Sequence, residues 1–143
     1  MSFSSRNMTD KDWGLIEPQF RKSEFDNPEY MGYEFMLWLK AVRIKAGVPM
    51  VVSSSWRSRT YNKLVGGAED SAHVDDPCNA IDVRKLPTKD DPNWNRARFR
   101  IVKAAMDLGC VRIGFYPNGS LHFDRTEDIR PAPCLWNIVN NPA

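Results

Sequence analysis

The distribution of apolar positions along the chain changes period several times, and each change marks an element. From Tyr30 to Ala46 the stretch "YMGYEFMLWLKAVRIKA" sets Met31, Phe35, Trp38, Leu39 and Val42 at helical spacing. One apolar face of that kind predicts an amphipathic helix, and Gly47 followed by Pro49 is the expected stop. "MVVSS" then reads as a short buried strand, because Val51 and Val52 are β-branched and bounded by breakers. "WRSRTYNKLVGGAEDS" is polar and reads as a loop with one helical turn, ended by Gly66 and Gly67.

"AIDV" predicts a second strand, with Ile81 and Val83 on one face and Ala80 and Asp82 on the other. "NRARFRIVKAAMDLG" predicts a second amphipathic helix with Phe99, Val102 and Met106 inward and Gly109 as its C-terminal cap. "VRIGFY" and "SLHFD" flank Asn118-Gly119, a pair that favours a tight hairpin. Residues 1–19 read as a mobile lead-in, 20–130 as the domain, and 131–143, with Pro131, Pro133 and Pro142, as a tail wrapping its surface. The order helix, strand, loop, strand, helix, hairpin has no βαβ alternation. The expectation is therefore an α+β protein, with helices packed on a small, mostly antiparallel sheet.

Length and composition are those of one globular domain with a real core. A net charge of +2 without a basic tract gives no footprint for nucleic acid. No apolar run reaches membrane-spanning length, and "MSFSSRNMTDKDW" lacks the apolar segment of a signal peptide. The chain is expected to be made in the cytoplasm and to act as a monomer. Cys78, Cys110 and Cys134 are odd in number and widely spaced, so they form no disulfide framework.

The candidate chemistry lies in the only two histidines. His73 stands in "SAHVDDPCNAID" and His122 in "SLHFD". On a strand, side chains two apart share a face, so Ser120, His122 and Asp124 point one way while Leu121 and Phe123 point into the core. Asp82 holds the equivalent place on its own strand. Two imidazoles and one carboxylate, with water as fourth ligand, make an open catalytic zinc site. Two other readings stand beside it: each histidine as a surface or hydrogen-bonded residue, and Cys78 as a ligand thiolate or a buried thiol.

The stretches "SSSWRSRTYNKLVGGAEDSAH", "AID" and "GFYPNGSLHFD" resemble the zinc D-Ala-D-Ala carboxypeptidase and endopeptidase family (peptidase family M15, with the hedgehog/D-Ala-D-Ala peptidase fold), including its phage endolysin-like members. The family pattern S-x-H, G-x-A-x-D and distal H-x-D falls on Ser71 and His73, Ala80 and Asp82, and His122 and Asp124. "FRKSEF", Trp56-Arg57-Ser58, Tyr61-Asn62 and Val65-Gly66-Gly67-Ala68 extend the likeness.

The resemblance implies zinc as cofactor, held by His73, Asp82 and His122, and peptidoglycan stem peptides as substrate. It implies substrate binding by Arg57, with Ser71, Tyr116 and Trp56 near the cleft. Asp124 would either orient a histidine or serve as the catalytic base. The chain departs from the pattern twice. Eight residues separate His73 from Asp82 where the family has six, the extra ones falling in a proline-containing loop. Gly119 stands where many relatives carry an acid. A non-catalytic zinc-containing binding module and a virion structural component of the same fold are the competing functions.

Overall fold

A computed structural model describes residues 2–139. Among the described residues four α-helices pack with one five-stranded sheet: α1 (Trp13–Ile16), α2 (Tyr33–Ala46), α3 (Arg59–Leu64) and α4 (Asn95–Asp107), with β1 (Val52–Ser54), β2 (Ala80–Val83), β3 (Arg112–Phe115), β4 (Leu121–Asp124) and β5 (Cys134–Asn137). The strand order is β1-β2-β4-β3-β5. Only the β3–β5 pair is parallel; the other three are antiparallel.

The apolar face expected of α2 is buried, but the helix begins at Tyr33 rather than Tyr30, and Met31 lies just ahead of it in an extended bridge to Cys78. Met31, Phe35, Trp38, Leu39 and Val42 are all buried, and Gly47 takes the left-handed conformation (φ +67°) that ends the helix. Ile81, Phe123 and Ile113 are register partners across β2, β4 and β3 and join α2 and α4 in one apolar core. The opposite sheet face carries Asp82, His122, Asp124 and Arg112, with Gly114 and Trp136 in the same row as His122.

Three expectations fail. In α4 the inward face is Ile101, Ala104 and Ala105, while Phe99 and Met106 are exposed. This helix packs on α2, where small alanines permit close approach. The larger residues sit round the helix from that contact.

Residues 2–19 are packed on the domain and do not form the loose lead-in expected of this segment. Met8, Trp13 and Ile16 are in the core, Ser4 hydroxyl donates to Asn79, and Met8 N–H donates to Met31 carbonyl. Their apolar residues are scattered among polar ones, so no period betrays the burial. The tail is not a surface wrap either: Cys134–Asn137 forms the edge strand β5 beside β3. Pro142 lies outside the described residues.

Candidate metal centre

The sheet register builds the centre. Asp82 on β2 is the partner of His122 on β4, His122 of Gly114 on β3, and Gly114 of Trp136 on β5. Asp82 and His122 are therefore brought side by side by the same pairing that buries Ile81 against Phe123. His73 arrives from a 3₁₀ turn, Ala72–Val74, capped by Ser71, whose hydroxyl accepts from His73 N–H.

The two additional residues between His73 and Asp82 do not part them. The segment before β2 is pinned to the N-terminal region, with Cys78 N–H donating to Tyr30 carbonyl and Gly32 N–H to Cys78 carbonyl.

His73 Nε2 lies 3.1 Å from Asp82 Oδ1, His122 Nδ1 lies 3.0 Å from the same oxygen, and the two ring nitrogens are 3.2 Å apart. All three residues are buried. The outer nitrogen of each ring is already committed. His73 Nδ1 donates to Ser55 carbonyl at 2.6 Å, and a carbonyl can only accept. His122 Nε2 donates to Asp124 Oδ2 at 2.7 Å.

With these tautomers, the inward His73 Nε2, His122 Nδ1 and Asp82 Oδ1 are three acceptors facing one another with no donor among them. Such a cluster is stable only with positive charge on it or inside it. Ligand atoms about 2.0–2.1 Å from a tetrahedral zinc are about 3.3 Å apart. The observed spacing and the ligand types fit that ion.

The charge balance points the same way. Burial alone would raise the Asp82 pKa, but His73 and His122 outweigh it and hold the carboxyl well below the usual carboxylate range. Burial opposes charge on His122, yet its bonds to Asp124 and Asp82 prevail and push its pKa up to about 9. Asp124 is fully buried and, against its own desolvation, is held low by His122, Arg112 and Thr126. The site favours a cation at its centre.

Arg57, expected to bind substrate, is buried and its fork is engaged within the protein. Nε donates to Ser54 hydroxyl (2.9 Å), Nη1 to Asn62 Oδ1 (3.0 Å) and Nη2 to Asp82 Oδ2 (3.3 Å). Tyr116 hydroxyl donates to the same Asp82 oxygen at 2.6 Å. Both residues still line the cleft over the histidines, as do Ser71 and Asp124.

Trp56 does not line it. It stacks on Tyr30 with centroids 4.0 Å apart, over a separate groove along β1. Cys78 is not among the inward-facing atoms: its thiol points at backbone carbonyls, and burial pushes its pKa up to about 12. It is a buried thiol.

Gly119 lies in the β3–β4 turn at φ +94°, and a Cβ there would face Trp94, Lys85 and Arg98, away from the cleft. The position three before His122 supplies no base in this chain.

Sequence reasoning missed three contributors. Arg112 Nε donates to Asp124 Oδ1 at 2.7 Å, Arg130 clasps Asp70 and Asp75 on either side of the His73 turn, and Trp136 stands 5.5 Å from the His122 ring. Arg112 and Arg130 sit in no local pattern that signals such roles. Trp136 had one available signal, an aromatic in a short alternating run behind two prolines.

A family model described as Peptidase M15 matches residues 10–123. The match contains all three inward-facing residues and stops before β5. No curated protein matches the chain.

Proposed function

From the membership of this chain in the peptidase M15 family, we propose that it is a zinc metallopeptidase that hydrolyses peptide bonds of bacterial peptidoglycan, as a phage-type lysin or virion-associated wall hydrolase. The observation that carries the reading is the triangle of three acceptors, His73 Nε2, His122 Nδ1 and Asp82 Oδ1, inside a match of that length. Among the described residues no helix is long and apolar enough to cross a membrane.

His73, Asp82 and His122 would hold the zinc, which when bound would supply Lewis acidity to polarise an amide carbonyl and to activate water. The other residues prepare the three ligands. Ser55 carbonyl and Asp124 fix the two imidazole tautomers, so that an unprotonated nitrogen faces inward on each ring. Arg57 and Tyr116 hold the second oxygen of Asp82 and leave the first for the ion. Asp124 serves as the orienting carboxylate rather than the base. It is fully buried at the cleft, with both oxygens already accepting bonds. Arg57, Ser71 and Tyr116 line the cleft where a stem peptide lies.

A second reading, a non-catalytic zinc-containing module, is favoured by one observation: the turn position before His122 is a glycine facing away from the cleft. Digestion of purified muropeptides, with product masses read alongside zinc content, separates the two. The peptidase reading expects about one zinc per chain and a defined peptide cut that disappears in His122→Ala. One zinc per chain with intact muropeptides selects the second.

A further inference from the structure

The cleft has a wall that the family match does not reach. The match ends at Phe123, whereas Trp136 and Ile138 on and after β5 line the cleft beside His122. Both are half-buried, so each keeps part of its apolar surface turned outward.

Their place depends on one residue. Gly114 is the register partner of both His122 and Trp136, and a Cβ on it would lie 2.8 Å from Ile138 Cδ1 and 3.1 Å from two indole carbons of Trp136. The missing side chain is what lets the indole and Ile138 lie over β3 and reach the metal-side row. The indole is also held from below. Arg112 guanidinium sits 4.8 Å from the ring centre, itself fixed by Asp124 and by Pro131 carbonyl at 2.6 Å. A pre-set, partly exposed aromatic face in a polar cleft is a contact surface for a ligand.

We propose that Trp136 and Ile138 form a specificity wall that takes a short aliphatic side chain of the peptide bound at the centre. The inference rests on the peptidase reading and deepens it. The wall offers aliphatic carbon and the indole face, whereas the rest of the cleft is mostly polar, with Arg57, Ser71, Tyr116 and the two histidines as well as the carboxylate of Asp70 in its lining. Backbone and carboxylate groups therefore belong on the polar side, and the side chain belongs against the wall. The cavity is about 220 Å³, below the range of about 300–1,000 Å³ usual for larger ligands. A cleft of that size favours a small side chain against the wall over a bulky one.

Calorimetry on the zinc-loaded full chain with N-acetyl-D-alanine and N-acetylglycine tests this without requiring turnover. One methyl against an apolar wall is expected to favour the alanine probe about 10-fold. Trp136→Ala should bring the two affinities to about the same value while zinc content is kept. Gly114→Ala, which displaces the indole without removing it, should do the same. If it fails to fold, Trp136→Ala carries the test alone. An undiminished preference in Trp136→Ala, equal binding of the two probes by the wild type, or binding of neither probe overturns the wall. Intact preference with no muropeptide cleavage would sink the peptidase reading and leave the wall standing.

Discussion

Asp124→Asn probes the support of the metal centre most sharply, because the geometry dictates which way the new amide must turn. Asp124 Oδ1 accepts from Arg112 Nε (2.7 Å), Thr126 N–H (3.1 Å) and Thr126 hydroxyl (2.5 Å), while Oδ2 accepts only from His122 Nε2 (2.7 Å). An asparagine has one oxygen for these two sets of donors. Facing three donors, one of them a buried guanidinium, the oxygen stays on the Arg112 side and the NH₂ turns to His122. Two donors then meet unless His122 gives up its Nε2 proton, which moves the proton to Nδ1, the nitrogen that faces Asp82 and His73.

The tautomer needed for metal binding is thereby lost. Loss of a carboxylate that supports a metal ligand costs about 10–100-fold in metal affinity, and the inverted tautomer places this variant at or beyond the upper end. A 100-fold loss is about 2.7 kcal/mol. Competition against a chromophoric chelator measures the affinity, and circular dichroism of the metal-free variant checks the fold. Wild-type zinc affinity with turnover abolished would refute the reasoning and make Asp124 the base.

Arg57→Lys should weaken zinc as well as turnover, because an ammonium cannot reach Ser54, Asn62 and Asp82 together; equilibrium dialysis reads the metal, and unchanged zinc affinity would return Arg57 to a substrate role alone. Burial pushes the Cys78 thiol up to about 12 and the Cys110 thiol up to about 11, so a thiol reagent at neutral pH should label only the half-buried Cys134 in the folded chain. Cys78→Ser should keep its zinc, and an empty site would mean that the ligand set is wrong. For α4, Ile101→Ala should destabilise by about 2–5 kcal/mol, whereas Phe99→Ser, at a position 67% exposed, should stay within about 0.5 kcal/mol; denaturant unfolding compares them, and a larger effect at Phe99 would restore the inward face read from the periodicity.

What the sequence determined by itself was whatever depends on neighbours along the chain. The α2 face, the Asn118-Gly119 hairpin and the alternation that turns His122 and Asp124 away from the core are all local, since helix and strand periods are properties of consecutive residues. The residues that meet in the candidate centre, His73, Asp82 and His122, were legible as well, through short motifs that resemble those of a known family.

Other features were decided only in three dimensions. A scattered N-terminal segment is buried because α2 and the loop before β2 offer it partners. The α4 face is turned by the alanines that meet α2, against the larger apolar residues that a periodicity reading weighs most. Arg57 is bound to Asp82 across 25 positions and Tyr116 to the same carboxylate across 34. Trp136 reaches His122 only because β5 pairs in parallel with β3 over a glycine. Pairings at such separations leave no periodic trace in the chain, because they are selected by packing and by the need to satisfy buried charge rather than by any local preference.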